Sequence, residues 1–320
     1  MEKAIVTGGA GFIGSHLVEE LVSEGYQVII LDDLSAGKLE NIATLLKSKS
    51  AEFIQGSVTD YPGLQKLCAG VTFIFHQAAY NSVAGSIEYP LPVYETNIGG
   101  TLKVLMAARD CGVKKVILAS SSSVYGNTAS MPQNEEMPPS PLSPYALTKL
   151  TGEYYSAIFR QIYGLSTVCL RYFNVYGPRQ DIHSQYAAAI PTFIQKAYQN
   201  LAPVIFGNGE QSRDFVFVKD VVRANMLAAR SHAEGIYNVG SGHSITINQL
   251  VATILQLMGK DLTPVHENAQ PGEVSQSLAD IKRAGSFGYK PEWPLADGLK
   301  ETIAYFEKQL KRGNYLKRKS

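Results

Sequence analysis

Thr7-Gly8-Gly9-Ala10-Gly11-Phe12-Ile13-Gly14, directly behind the apolar triplet Ala4-Ile5-Val6, decides the fold of this 320-residue chain. An apolar run that breaks into glycines and resumes as an amphipathic stretch from Ile13 to Ser23 reads as a buried strand, a tight turn and a helix. Gly25 stops that helix, and Gln27 to Leu31 forms a second strand that completes a βαβ unit. Glycines at such a turn let backbone amides and the positive end of the helix dipole approach a pyrophosphate that side chains would block. Asp32 ends the second strand 18 residues after Gly14, near the ~20-residue spacing of a carboxylate that binds an adenosine ribose diol. A carboxylate there repels a 2′-phosphate, so the cradle predicts NAD rather than NADP, with Asp33 and Lys38 as the neighbouring charges that bear on the choice.

The alternation continues outward. Strands are predicted at Phe53 to Gln55, Thr72 to His76, Lys115 to Ala119 and Ser166 to Arg171, with helices such as Glu95 to Arg109 and Tyr145 to Ile162 between them. This pattern predicts an α/β fold, a Rossmann-type doubly wound parallel sheet, with a smaller, partly interleaved C-terminal α/β substrate domain over a cleft. The first domain runs over 1–173 with a return segment at about 214–240, where Phe215 to Val218 and Ile236 to Val239 read as strands. The second takes 174–213 and 241–312, and 313–320 is a basic tail.

Composition excludes several classes. The chain is 45% apolar and 18% charged with a net charge of +1, so no field of one sign points to nucleic acid. No apolar run is long enough to span a membrane and no leader is evident, which predicts a cytoplasmic protein. Cys68, Cys111 and Cys169 lie far apart and read as reduced thiols. The six histidines show no ligand spacing, so no metal site is expected.

Tyr145 and Lys149 stand one helical turn apart in Ser143-Pro144-Tyr145-Ala146-Leu147-Thr148-Lys149. A fixed cation beside a phenol favours the phenolate, which could deprotonate an alcohol. Alone the spacing is ordinary, and the cradle gives it meaning.

With the glycine loop, Asp32, His76-Gln77-Ala78-Ala79, Asn97, the serines before Val124-Tyr125-Gly126, Tyr145/Lys149 and Arg171-Tyr172-Phe173-Asn174 in this order, the chain resembles the extended short-chain dehydrogenase/reductases and, more narrowly, the UDP-hexose 4-epimerases. The resemblance covers residues 1 to about 305 and implies that Gly8, Gly11, Phe12, Ile13, Gly14, Asp32, Ala78, Asn97, Tyr145, Lys149 and Tyr172 hold NAD. It implies Ser121, Tyr145 and Lys149 as the catalytic set. In the related dehydratases, Asp and Glu stand where this chain has Ser122 and Ser123, and hydroxyls are too weakly acidic for that elimination. The related decarboxylases keep a Glu at the position of Ser123. What remains is 4-epimerisation of a UDP-hexose: hydride out to NAD, rotation of a 4-keto sugar, hydride back.

The same resemblance implies substrate contacts at Ser122, Ser123, Asn174, Phe206 (beside the uracil), Arg213 (on the diphosphate), Glu273 and Ser277. Gln270 stands where the family carries an Arg, Glu273 where it carries Asp, and Ser57 where it carries an acid near the adenine. Ser277 replaces a bulky aromatic beside the sugar C2, which opens room for an N-acetyl group; UDP-GlcNAc and UDP-GalNAc are expected beside UDP-glucose and UDP-galactose. The segment from Arg179 to Pro191 also resembles N-acetyl-accepting enzymes, and Asp181 stands where uronate enzymes tend to have a basic residue. A homodimer is implied through a four-helix bundle of segments 95–111 and 145–163. The alternatives are another NAD(P)-dependent sugar-nucleotide oxidoreductase, a UDP-glucuronate 4-epimerase, or a non-catalytic NAD-binding scaffold.

Overall fold

Ala4, Ile5 and Val6 are completely buried, as a strand covered on both faces must be. Ala4 and Val6 point into one core and Ile5 into the other, the two-residue period of a pleated strand. The computed structural model describes residues 2–181, 189–269 and 275–317, with side chains up to 311. Among them the strands are β1 (Lys3–Thr7), β2 (Gln27–Asp32), β3 (Ala51–Gln55), β4 (Phe73–His76), β5 (Lys115–Ser121), β6 (Ser166–Tyr172), β7 (Asn174–Tyr176), β8 (Val204–Phe206), β9 (Ser212–Phe217), β10 (Gly235–Val239), β11 (Ser244–Thr246) and β12 (Val265–Glu267).

Seven strands form the parallel main sheet in the order β10-β6-β5-β4-β1-β2-β3. The chain steps outward from β1 to β3 and then restarts at β4 on the other side of β1, so the crevice beyond the strand ends at β1 and β4 is where such sheets place ligands. Register aligns Thr7 with His76 and with Leu31, and Ser121 with Tyr172, gathering the ends of five strands along that edge. One face carries the helices Phe12–Ser23 and Val218–Arg230, the other Tyr61–Cys68 and Thr101–Asp110.

A three-stranded sheet, β11-β9-β7, lies beside the main one. It packs with the helices Ala189–Tyr198, Ile247–Leu257 and Leu295–Lys317 around Tyr176, Phe217 and Trp293. Trp293 packs its ring 4.8 Å from that of Phe217. The expected strand Phe215 to Val218 is Ser212–Phe217 instead, and Val218 opens a helix. The expected helix Glu95 to Arg109 begins as a π-helical turn over Tyr94–Gly100 before the α-helix Thr101–Asp110, and Asn97 within that wider turn is buried. On the helix Pro144–Tyr163, Phe159 is core, whereas Tyr154 is exposed. No helix among the described residues is long and apolar enough to cross a membrane.

Candidate active site

Gly8 takes φ +69°, and a Cβ on it would lie 2.7 Å from the Ala78 amide nitrogen; a Cβ on Gly14 would lie 2.1 Å from the Gly8 carbonyl oxygen. Glycine at these two positions lets the turn, the helix start and the loop after β4 close on one another. Gly11 begins the helix without a side-chain cap, so the first-turn amides at Phe12, Ile13 and Gly14 are left to an anion. The Asp32 carboxylate accepts the Ala10 amide at 2.9 Å and the Leu34 amide at 2.8 Å. Burial raises its pKa and those amides pull it back down. Asp32 thus ties the glycine loop to β2 and retains lone pairs for a diol. The donor set, a bare helix start with a buried carboxylate at the neighbouring strand end, fits the dinucleotide that the sequence predicts.

The walls are held by hydrogen bonds that the sequence did not disclose. His76, fully enclosed, bridges Thr7 Oγ1 (2.7 Å) and Thr101 Oγ1 (3.0 Å). Burial, with Lys149 adding to it, holds its pKa down at about 3, so the ring is neutral. Asn97 accepts the Tyr80 amide at 2.7 Å and donates to Thr148 Oγ1 at 3.0 Å, and Thr148 donates to the Tyr145 carbonyl at 2.7 Å. Tyr172 exchanges hydrogen bonds with Gln77 and Asn225, and burial pushes its phenol to about 12. Asn97 and Tyr172, expected at the cofactor, therefore bond the protein itself through their polar atoms. Thr7 opens the glycine motif, but Thr101 and Asn225 lie far from any recognisable motif, and only the fold brings them here.

Tyr145 and Lys149 sit in the first turns of the helix Pro144–Tyr163, which Ser143 caps by accepting the Ala146 amide. The Tyr145 phenol lies near the Ser121 side chain at the end of β5, close enough for that hydroxyl to pull its pKa down. Lys149 Nζ donates to the Ala119 carbonyl at 2.8 Å and lies 5.8 Å from the Tyr145 ring centre. Burial raises the Tyr145 phenol to about 12, against the pull of Ser121, and lowers Lys149 to about 8. The sequence expectation was that Lys149 depresses the phenol. In the protein by itself desolvation outweighs any such help, because the phenol is buried and the half-buried ammonium is spent on a carbonyl.

Ser122 and Ser123 open the short turn Ser122–Tyr125, where the Ser123 Oγ is buried without a partner. Asn174 Nδ2 donates to the Asp214 carbonyl at 2.9 Å and lies 3.5 Å from Ser277 Oγ, so these two expected contacts meet. Ser277 is more enclosed than an open wall implies, with its amide bonded to the Ser212 carbonyl. Arg213 lines a groove of about 340 Å³ with Phe215, His243, Ile245 and Trp293 and donates to the Ser212 carbonyl at 3.0 Å. Phe206 is partly exposed at the end of β8. Glu273 and Gln270 lie outside the described residues, as does the 182–188 stretch of the segment that resembles N-acetyl-accepting enzymes. No cluster able to hold a metal occurs among the described residues.

The profile of the NAD dependent epimerase/dehydratase family matches residues 4–240. A UDP-N-acetylglucosamine 4-epimerase from Methanobrevibacter ruminantium, solved in complex with UDP-N-acetylmuramic acid, superposes with a TM-score of 0.94 at 41% identity, covering 96% of this chain and 99% of that one. The UDP-glucose 4-epimerase of Mycolicibacterium smegmatis is 38% identical over 95% of this chain and 98% of its own length. A UDP-glucuronate 4-epimerase from Thermodesulfobacterium geofontis is 34% identical over 96% of each.

Proposed function

The chain belongs to the NAD-dependent epimerase/dehydratase family, and on that premise we propose that it interconverts the 4-epimers of UDP-hexoses, UDP-glucose with UDP-galactose and UDP-GlcNAc with UDP-GalNAc. The observation that carries this reading is the placing of Tyr145 between the Ser121 hydroxyl and Lys149, with two hydroxyls and no carboxylate at Ser122 and Ser123 in the turn that follows β5. Such a set removes and returns one alcohol proton and has nothing with which to expel water. NAD, held by the glycine loop and Asp32, would supply a reversible hydride acceptor for C4 and a positive charge that favours a phenolate.

In this reading Tyr145 takes the 4-hydroxyl proton and later restores it, Ser121 bonds the same oxygen, and Lys149 fixes the strand end through Ala119 while stabilising the anion. The glycine loop with Phe12, Ile13, Asp32 and Ala78 holds the cofactor. Asn97 and Tyr172 shape its pocket. Arg213 meets the diphosphate, Phe206 and Glu273 the nucleoside, and Ser122, Ser123 and Asn174 the sugar, with Ser277 leaving room beside C2. The substrate half comprises 174–213 and 241–312, the cofactor half 1–173 and 214–240. Its unpaired thiols suit a reducing cytoplasm.

Purified protein incubated with each UDP-sugar without added cofactor, and the products resolved by NMR, tests the proposal. The 4-epimer should form with no net absorbance change at 340 nm. A steady change there would favour a net oxidoreductase, and conversion of UDP-glucuronate alone would favour the uronate enzyme. No epimer from any of them, even with NAD added, would falsify the reading.

A further inference from the structure

The helix Pro144–Tyr163 carries Tyr145, Lys149 and Glu153 at four-residue intervals, so the three line one stripe. Glu153 is wholly enclosed, as is Arg171 on β6. Arg171 donates from Nε to Glu153 Oε1 at 2.8 Å and from Nη2 to Oε2 at 2.7 Å. Ser120 Oγ donates to the same Oε1 at 2.5 Å. Ser120 directly precedes Ser121 and is register-paired with Arg171 across β5 and β6. The guanidinium also stacks 4.7 Å over Tyr125, whose hydroxyl donates to Asn238 on β10 at 2.7 Å. One carboxylate thus ties the reactive helix to the two strands that end in Ser121 and Tyr172.

Stability alone is a poor reason for such a pair. Taking both charges out of water costs several kcal/mol, and well-packed apolar residues often replace buried pairs without loss. A bidentate pair supplies direction: a planar fork on a carboxylate admits one distance and one rotation. An apolar contact admits many. A direct charge effect on Lys149 is not the explanation, since burial accounts for its lowered pKa.

Resting on the 4-epimerase reading, we propose that Glu153 is a positioning residue: through Arg171 and Ser120 it fixes the height and rotation of the reactive helix against β5, and so holds Tyr145 on Ser121. Misplacement of reacting groups by about 1 Å can cost on the order of 100-fold in rate.

The test uses the NAD-loaded protein with three changes: Ser120→Ala, Glu153→Gln, and the apolar pair Glu153→Leu with Arg171→Met. The pair variant should melt within a few degrees of the parent, yet lose roughly 10- to 100-fold in kcat with KM for the UDP-sugar within about twofold. Ser120→Ala, which keeps the ion pair, should lose about 3- to 10-fold in kcat at an unchanged melting temperature. Glu153→Gln leaves Arg171 without its counter-charge and should lose at least as much as the pair. Amide hydrogen exchange supplies a readout independent of turnover, with residues 145–149 opening about tenfold faster in the pair variant and residues 101–110 unchanged. Wild-type kcat in both the pair variant and Ser120→Ala overturns the positioning role, as does unaltered exchange at 145–149, whatever the parent protein turns over. An inactive parent protein tells instead against the 4-epimerase reading.

Discussion

Tyr145 has the ordinary chemistry of a phenol made harder to ionise by enclosure, with burial holding it near 12, so its usefulness depends on what surrounds it. Tyr145→Phe keeps the ring in its buried slot and removes only the hydroxyl near Ser121; turnover should fall by about 10²- to 10⁴-fold while NAD remains bound, and retained activity would sink the assigned role. Ser277→Tyr should cut kcat/KM for N-acetylated UDP-sugars at least tenfold more than for UDP-glucose, whereas an unchanged preference removes Ser277 from specificity. His76 gives a prediction about acid. A free histidine binds its proton near 6.5, but His76 only near 3, so between those values the unfolded chain takes up the extra proton. The stability contributed by the neutral ring is complete above pH 6.5 and is lost as pH falls towards 3, amounting to roughly 2 kcal/mol by pH 5. His76→Gln should flatten the melting temperature against pH between 6.5 and 5; an unchanged slope would assign the acid loss elsewhere. Tyr145, Lys149 and Ser121 were legible because each belongs to an ordered pattern. His76 as a bridge was not, since its partners Thr7 and Thr101 stand 69 and 25 residues away.

Elements were read well where apolar period decided them and poorly where a side chain from elsewhere did. The strands β1, β2, β5 and β6 are buried on both faces, so short apolar runs bounded by glycine or polar turns sufficed to find them. The π-helical turn at Tyr94–Gly100 has no such signature, because its winding answers to Tyr80 and Thr148, which Asn97 must reach. The end of the helix Val218–Arg230 was equally hidden. Lys115, an enclosed residue opening β5, donates from Nζ to the carbonyls of Ala228, Ser231 and Ala233 at 3.2, 2.6 and 3.2 Å. A lysine at the start of a strand looks like a solvated charge, yet this one closes a helix C-terminus 113 residues downstream and meets its dipole. Lys115→Met should strip those carbonyls of their donor and cost about 2–4 kcal/mol. The denaturation midpoint should drop while kcat in the folded protein stays near that of the parent, and an unmoved midpoint would mean that water replaces the ammonium.

At the scale of the whole molecule, the outer side of the reactive helix is unusually apolar for a surface. Leu147, Tyr154, Ile158 and Ile162 share one stripe and are 44–66% exposed, and Ile87, Leu91 and Tyr94 add to the patch from the preceding segment. Contiguous apolar surface on that scale marks a contact, and a two-fold axis along the helix would bury the stripe against its own copy. A homodimer of the kind that the family resemblance implies would place its seam here. The helix Thr101–Asp110 turns only half-buried Leu102 and Met106 outward, so in such a dimer the segment from Val83 to Tyr94 would supply more of the second contribution than residues 95–111. The inner stripe of the same helix carries Tyr145, Lys149 and Glu153, so association through the outer stripe would be coupled to the reactive turn by one helix. Ile158→Glu would place a carboxylate in the middle of the patch, while the side chain that it replaces touches nothing in the cleft. Sedimentation velocity should resolve the parent protein as a dimer at micromolar concentration and the variant as a monomer. If the parent protein sediments as a monomer, the stripe has some other occupant and the dimer is wrong.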